Sequence, residues 1–286
     1  MATDGVDLLA GRATHFVLTR FNVRSFYHKA EPTDSWLSER LELFEKYCAP
    51  SFRNQTTPNF TWLVFLDSLS PAWFKERISA LSIGLFRPVY VEGPFSQEVL
   101  SRTIDSLNTT PSVITTRVDN DDAVADDFIE TIQKCFDGQS LLFVNLVNGA
   151  QFANNKLYVR PYTKNPFASL IETPSEGPPV TVFVEHHYRI DAYAPVMNVR
   201  TKHPMWLQVV HGGNVLNEIV GLRTTPGRIA PHFSAELDAG GPALGVAADQ
   251  ALGIVRILWR FVRKPSRVGQ LAKTLVARTA GRPVSK

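Results

Sequence analysis

Segments typical of buried β-strands alternate with segments typical of amphipathic helices along the first 118 residues of the chain. Near-continuous apolar and β-branched runs predict strands at 15–21, 61–66, 88–91 and 112–118. Apolar residues at helical spacing predict helices between them, at 36–47, 71–81 and 96–107. Strands and helices that alternate in this way form a parallel sheet covered by helices. We therefore predict an α/β fold with a mostly parallel central sheet and helices on both faces.

The pattern changes after residue 136, where Pro- and Asn-rich loops separate short strand-like runs. These runs lie at 140–147, 156–159 and 180–184, and an apolar segment at 204–214 follows them. Such a pattern predicts a mixed C-terminal half that covers the sheet and holds a second substrate. We expect one domain at 1–245, with halves at 15–136 and 137–245, and a separate tail at 246–286.

Carboxylates crowd the point at which the fourth predicted strand ends, in the sequence Asp119-Asn120-Asp121-Asp122. Like charges this close repel one another unless a cation is present, and a divalent cation with bound phosphate oxygens fits such a cluster. The alternative is capping of a helix predicted over 123–136, which accounts for one or two acids but not for three. An EF-hand loop is excluded, because Ala123 and Val124 stand where it needs an oxygen ligand and a glycine.

Polar side chains also follow the first two predicted strands. Asn22 comes directly after the strand at 15–21, and Asp67 follows the strand at 61–66. Ligands of parallel sheets bind outside the carboxyl ends of the strands. We therefore expect Asn22, Asp67 and Asp119 to meet at one rim of the sheet.

Three arginines and one histidine are further candidates. Arg20, Arg102 and Arg117 lie near the predicted rim, and the planar guanidinium group suits phosphate, although each alone is more often a surface ion-pair residue. His211 ends an apolar segment and precedes two glycines, which let a ligand approach closely. Because imidazole is a common metal ligand, His211 is either a ligand or a polar residue at an interface.

The net charge of +3 conceals a basic tail. Residues 246–286 carry nine Lys or Arg and one acidic residue, whereas the other 245 residues carry 21 basic and 26 acidic groups. Arginines at helical spacing in 252–267, beside Trp259, predict an amphipathic helix that binds an anionic membrane surface. The alternative is a helix packed on the core. Charge without a recognised motif disfavours nucleic-acid binding.

The N-terminal residues and the two cysteines bear on localisation. Residues 1–14 have no apolar run behind a basic start, so no secretory signal peptide is predicted. Cys48 and Cys135 fall in predicted helices and fit no ligand spacing, which favours free thiols in a reducing compartment. These features predict a cytoplasmic protein, with peripheral attachment to the inner face of the cell membrane as an open alternative.

Several long blocks of the sequence resemble one family. They read TRFNV from Thr19, WLxxRLxLFxxYxxPSxxxQ from Trp36, NFxWLVFLD from Asn59, TRxDNDDA from Thr116 and MWLQVVHGxNV from Met205. The layout resembles a GT-A glycosyltransferase, whose DxD motif corresponds here to Asp119-Asn120-Asp121. Within that group the chain is similar to bacterial rhamnosyltransferases, over about residues 15 to 220. The basic tail departs from the family pattern.

The resemblance implies a function and a role for each candidate. It implies transfer of a sugar from a dTDP-, UDP- or GDP-sugar, with Mn²⁺ or Mg²⁺, to an envelope glycan or lipid-linked acceptor. Residues 15–136 would form the nucleotide-sugar-binding half and 137–245 the acceptor half. The metal set is Asp119, Asp121 and His211, in which Asp119 would contact the metal through water, or the ribose instead. The nucleotide-binding set is Arg20, Asn22, Asp67, Arg102, Arg117 and Asp119, and the catalytic set is Asp121, Asp122 and Glu172.

The catalytic base and the reaction class stay open at this point. An inverting transferase needs a base near the acceptor hydroxyl, and we take Glu172 first, with Glu185 and Asp191 as alternatives. One rival class is a sugar nucleotidyltransferase, which would carry a Gly-rich phosphate loop, whereas residues 21–24 contain no glycine. The other rival is a non-catalytic carbohydrate- or membrane-binding protein on a degenerate transferase fold.

Overall fold

The computed structural model describes residues 7–24, 32–211, 218–239, 246 and 249–250. Its strands are β1 (Ala13–Arg20), β2 (Thr61–Asp67), β3 (Arg87–Val91), β4 (Ser112–Arg117), β5 (Ala123–Val124), β6 (Leu141–Leu146), β7 (Asn148–Ala153), β8 (Lys156–Pro161), β9 (Ser169–Glu172), β10 (Val196–Val199), β11 (Trp206–Val210) and β12 (Leu222–Thr224). Its helices are α1 (Asp34–Leu43), α2 (Ala49–Arg53), α3 (Ala72–Ser82), α4 (Gln97–Leu107), α5 (Phe128–Gln133) and α6 (Ile190–Tyr193). A π-helical turn at Phe44–Cys48 joins α1 to α2.

The central sheet has the strand order β10-β6-β9-β4-β1-β2-β3. Its neighbouring strands are parallel, except that β9 runs antiparallel to both β4 and β6. The predicted mostly parallel sheet is therefore confirmed. Because β1, β2 and β4 point the same way, their carboxyl ends open onto one rim.

Both faces of the central sheet are buried. Along β1, Phe16 and Leu18 pack in one apolar cluster with Leu100 of α4, whereas Val17 packs in another with Leu37 of α1 and Phe74 of α3. This alternation follows from the two-residue period of a strand. The predicted helices on both faces are confirmed.

A second sheet, of order β12-β8-β7-β11-β5, supplies the mixed half. The two residues of β5 come directly after the acidic sequence, and Ala123 pairs antiparallel with Leu207 of β11. The end of β11, and with it His211, is thereby brought beside the acidic loop. The limits of the two predicted halves stay a prediction, because strands after residue 137 contribute to both sheets.

Two predicted elements are wrong. The helix predicted over 123–136 is the short strand β5 followed by α5, because the backbone at Ala123 pairs with β11 before a helix can start. The strand predicted over 180–184 is a 3-10 turn at Val182–Val184, entered through Thr181 with a φ of +62°. Periodicity cannot separate these cases, since short apolar runs fit a helix or a strand equally well.

The tail prediction lies almost entirely outside the described residues. Only its first contacts are described: Asp249 pairs with Lys156 at 3.1 Å, and the Gln250 amide donates to the carbonyl of Arg223. Among the residues described, no helix is both long and apolar enough to cross a membrane. Cys48 and Cys135 are free thiols, as predicted.

A buried imidazole in β1 makes stability depend on pH. His15 bonds Thr116 Oγ1 at 2.7 Å, and burial lowers its pKa from 6.5 to about 3. The unfolded chain takes up a proton below pH 6.5 and the folded protein does not, so stability is full above pH 6.5 and falls as pH drops towards 3. We expect a loss of about 2 kcal/mol between pH 7 and 5.

Denaturant unfolding at several pH values measures this effect. His15→Gln should remove most of the dependence in that window, and the same substitution at exposed His186 should leave it unchanged. An unaltered pH dependence in His15→Gln would contradict the assignment.

Candidate active site

The acidic loop after β4 is tied to the end of β1. Val118 N–H donates to the carbonyl of Leu18 at 3.3 Å, and the Asn120 amide donates to the carbonyl of Phe21 at 3.4 Å. Asp122 N–H donates back to the carbonyl of Asp119 at 3.3 Å. The loop therefore turns tightly at the rim and holds its carboxylates at the ends of β1 and β4.

Asp121 is the point at which three parts of the chain meet. Its Oδ2 lies 2.5 Å from Arg40 Nη1, which belongs to α1, and 2.9 Å from His211 Nε2, just beyond β11. The Asp121 side chain is only 9% exposed, so these contacts form away from bulk water. The structure thus places His211 in contact with Asp121, and their predicted role as metal ligands stays a prediction.

Asp122 links the acidic loop to the second sheet. Its Oδ1 accepts the backbone N–H of Val209 in β11 at 2.9 Å, and its side chain is buried. Burial raises the pKa of Asp122 well above its usual range, and the charges of Asp121 and Asp119 add to the shift. Asp122 therefore has a positioning contact that holds β11 against the loop.

Asp119 lies among arginines. Arg117 binds it through two nitrogens, with its Nη2 2.9 Å from Asp119 Oδ2. Burial alone would raise the pKa of Asp119, but the charges of Arg117 and Arg20 outweigh it and lower that pKa. The guanidinium groups of Arg20 and Arg117 lie 4.7 and 5.3 Å from the centre of the Phe183 ring. Both guanidinium groups thus pack against the Phe183 ring, beside Asp119.

Asn22 and Asp67 form the opposite side of the rim, as expected. Asn22 Oδ1 accepts the backbone N–H of Asp67 at 3.1 Å, and its amide donates to Ser70 Oγ at 2.8 Å. The Asp67 carboxylate accepts the N–H of Leu69 at 2.9 Å and pairs with Arg24 at 2.9 Å. Asp67 therefore also fixes the turn that leads into α3.

Arg102 does not belong to this site. It lies in the middle of α4, where it pairs with Glu98 one turn earlier, and 76% of its side chain is exposed. The helix runs back from the rim, so a residue in its middle points away from the strand ends. The prediction of Arg102 as a nucleotide-binding residue is therefore corrected to a surface ion pair.

Glu172 is also placed away from the rim. It ends β9 opposite Val113, and Arg117 lies four residues further along β4, about 13 Å at the rise of a strand. Its carboxylate accepts the N–H groups of Val180 and Thr181 at 2.8 and 2.9 Å. Burial raises the pKa of Glu172, with those two bonds opposing the shift. Glu172 instead holds the strained backbone at Thr181, which leads to Phe183.

The two alternative bases have structural partners too. Glu185 lies 3.7 Å from Arg189, and Asp191 pairs with Lys164 at 2.9 Å. The Asp191 side chain is exposed to solvent. Its pKa is lowered, and the hydrogen bond from Lys164 is the largest cause of that shift. Neither makes a described contact with the acidic loop.

The predicted metal ligands agree only in part with the side chains that the structure brings together. Within the described parts of the chain, no three His, Cys, Asp or Glu side chains are grouped to hold a metal ion. Asp121 and His211 converge, whereas the Asp119 carboxylate is bound to Arg117. Mg²⁺ commonly takes one or two carboxylates and completes its shell with water and substrate phosphates. The pair fits a cation on those terms, but not a closed site of three protein ligands.

Two residues of the site were not predicted from the sequence. Arg40 flanks the buried stripe of Leu37 and Leu41 on α1, so it reads as an ordinary surface charge. Phe183 was assigned to a strand that does not exist. The available signal for Arg40 was its specified place in the family block that begins at Trp36.

A comparison with protein families finds a match. The sequence profile of the family described as "Putative rhamnosyl transferase" matches residues 27–223. No curated protein matches the chain.

Among solved structures, S. aureus TarS 1–349 in complex with UDP is 10% identical, over 70% of this chain and 60% of that one, with a TM-score of 0.40. The mannosyltransferase PcManGT from Pyrobaculum calidifontis, in complex with GDP-Man and Mn²⁺, is 12% identical, over 71% of this chain and 59% of that one, with a TM-score of 0.39. The chain therefore spans about 60% of the length of these proteins. Likenesses this distant transfer no ligand and no residue role.

Proposed function

Because the chain belongs to the family described as "Putative rhamnosyl transferase", we propose that it transfers a sugar from a nucleotide-sugar donor to a hydroxyl group of an acceptor. The contact that supports this best is Asp121 with His211 at 2.9 Å. It joins the rim of the central sheet to the end of β11, at the edge where parallel sheets bind ligands. A donor bound there would lie between the two sheets, with the second sheet available to the acceptor.

Asp121 and His211 would hold Mn²⁺ or Mg²⁺ together with donor phosphate oxygens. A cation bound there would supply a Lewis acid that neutralises charge on the leaving diphosphate. Arg20 and Arg117, gathered beside Asp119, would add fixed positive charge for the same diphosphate. Asp122, held by Val209, would keep the second sheet in register with this loop.

The donor nucleotide is proposed as dTDP, UDP or GDP, and its sugar as rhamnose or another hexose. Asn22 and Asp67 would contact the nucleoside from the opposite side of the rim. The Asp67 N–H fixes the Asn22 amide at 3.1 Å, and the Leu69 N–H fixes the Asp67 carboxylate at 2.9 Å, before any ligand arrives. Such preorganisation lowers the entropy that ligand binding must overcome.

Asp67→Ala tests the nucleoside pocket. We expect the KM for the donor to rise by more than kcat falls, because a contact that is equal in the ground and transition states affects binding alone. Steady-state kinetics measures both constants. The control is Asp34→Ala, which removes an exposed carboxylate bonded to Trp73. Unchanged donor affinity in Asp67→Ala would limit Asp67 to its structural bond with Leu69.

A thermal-shift screen tests the function itself. Sugars linked to dTDP, UDP and GDP are each added with Mn²⁺, and a ligand at about 100 times its Kd stabilises the fold by about 2.7 kcal/mol. The accompanying assay follows release of the nucleoside diphosphate with and without acceptor glycans. Stabilisation by none of the donors, together with no release, would contradict the proposal.

The acceptor is proposed as an envelope glycan or a lipid-linked sugar, reached by a cytoplasmic protein whose basic tail binds anionic membrane. Deleting 251–286 keeps the Asp249 and Gln250 contacts and should weaken sedimentation with anionic vesicles. Each basic residue near an anionic surface contributes about 1 kcal/mol, and salt screens it. Binding that survives the deletion, or that is insensitive to salt, would contradict the tail's role.

A further inference from the structure

Arg40 lies in the site without being part of the acidic loop. It belongs to α1, which Thr33 caps by accepting the N–H of Trp36 at 3.3 Å. The same helix buries Leu37 and Leu41 in the core. Arg40 lies on the edge of that buried face, with its guanidinium group 5.3 Å from the centre of the Trp36 ring. The helix thus delivers one cation to Asp121 from a rigid support.

Two nitrogens converge on one oxygen of Asp121. Arg40 Nη1 lies 2.5 Å and His211 Nε2 2.9 Å from the same Oδ2, and the Arg40 side chain is only 14% exposed. A carboxylate this buried needs a counter-ion, since an unpaired charge away from water is costly. Arg40 supplies that counter-ion at the atom which a cation shared with His211 would contact. The guanidinium group and the cation therefore require the same negative charge.

A diphosphate offers Arg40 another partner. The planar guanidinium group binds phosphate oxygens through two parallel hydrogen bonds, at least as well as it binds a carboxylate. A nucleoside diphosphate at the rim would thus draw Arg40 from Asp121. The freed Asp121 carboxylate would then be available to a cation, together with His211.

We propose that Arg40 is the counter-ion of Asp121 and competes with the divalent cation for that carboxylate, so that the cation and the nucleoside diphosphate bind cooperatively. This inference rests on the proposed function. By linkage, the factor by which the nucleotide raises cation affinity equals the factor by which the cation raises nucleotide affinity. In this account Arg40 binds the diphosphate directly and thereby releases Asp121 to the cation.

Mn²⁺ binding to the full chain tests this without any turnover. Free Mn²⁺ is followed by its EPR signal, with and without UDP, GDP or dTDP. In the wild type, the preferred nucleotide should raise Mn²⁺ affinity on the order of tenfold or more, within the usual range of coupling between two ligands. Arg40→Gln should bind Mn²⁺ alone about tenfold more tightly than the wild type. Nucleotide should still raise its Mn²⁺ affinity, because phosphate oxygens complete the metal shell, but by a smaller factor than in the wild type.

Two further variants separate charge from packing. Arg40→Lys retains the cation, so its Mn²⁺ affinity without nucleotide should stay close to that of the wild type. Arg77→Gln removes an arginine from an exposed ion pair with Glu45 at 2.9 Å and should change neither affinity nor coupling. If Arg40→Gln does not fold, Arg40→Met removes the same charge while keeping an unbranched side chain, and it should show the same tighter binding of Mn²⁺ alone.

Equal Mn²⁺ affinity in Arg40→Gln and the wild type would overturn the proposal. So would wild-type Mn²⁺ binding that no nucleotide changes. Absence of Mn²⁺ binding in every form, with donor cleavage that persists in EDTA, would overturn the metal site and the competition together. Absence of both Mn²⁺ binding and donor cleavage would overturn the proposed function as well.

Discussion

Asp121→Asn should lower the rate of donor cleavage and sugar transfer by roughly 10²–10³-fold, the loss expected when a group that stabilises transition-state charge is removed. Asparagine keeps the shape of the side chain and can still accept a hydrogen bond from Arg40. It lacks the negative charge that Arg40, His211 and a cation all require. Turnover and Mn²⁺-dependent nucleotide binding should therefore fall together. The measurement is single-turnover release of the nucleoside diphosphate.

Asp127 provides the matched control for this substitution. It lies at the start of α5, shortly after the acidic loop, and its carboxylate contacts His203 at 2.9 Å. Asp127→Asn should retain turnover within a few fold of the wild type. Full activity of Asp121→Asn in EDTA would contradict the metal-binding role of Asp121.

Gly149→Ala should be among the most destabilising single substitutions in the chain. A Cβ atom at Gly149 would overlap the indole ring of Trp206, which is fully buried and stacked on Phe167 at 5.1 Å. The ring is also fixed by its N–H, which donates to the carbonyl of Leu146 at 2.8 Å. Overpacking of this kind costs about 1–3 kcal/mol, occasionally more. Denaturant unfolding should record that loss.

Gly149→Ala should also disturb the active site and lower turnover. Trp206 begins β11, and β11 carries Val209 and leads to His211, so a displaced indole shifts the strand that meets the acidic loop. Gly227→Ala is the control, because a Cβ there meets no atom within 4 Å. Wild-type stability and turnover in Gly149→Ala would contradict this prediction, because the second sheet would then accommodate the added methyl group without loss of stability.

The rim of the site could be predicted because it depends on local order in the sequence. Asn22 and Asp119 follow buried parallel strands, Asp67 is the last residue of another, and parallel strands end at one edge. His211 was found for a similar reason, since it directly follows the apolar run that forms β11. The alternation of strands and helices predicted β1 to β4, four of the seven strands of the central sheet, in the same way.

The remaining contacts depend on pairings between distant segments. The two residues of β5 are a strand only because β11 lies beside them, so helical spacing in 123–136 was misleading. Glu172 was predicted as a catalytic base, because the sequence does not reveal that its carboxylate accepts the N–H groups of Val180 and Thr181. Arg40 reads as a surface charge, and only the packing of α1 against the central sheet brings it to Asp121, 81 residues away.

A double-mutant cycle between Asp121 and His211 tests most directly whether the two sheets form one donor site. Cleavage of the preferred nucleotide sugar is measured for Asp121→Asn, His211→Ala and the double variant. Residues that act as one unit are strongly non-additive, so the double variant should be little slower than Asp121→Asn alone. Losses that simply multiply would contradict the account, because they would mean that Asp121 and His211 act independently.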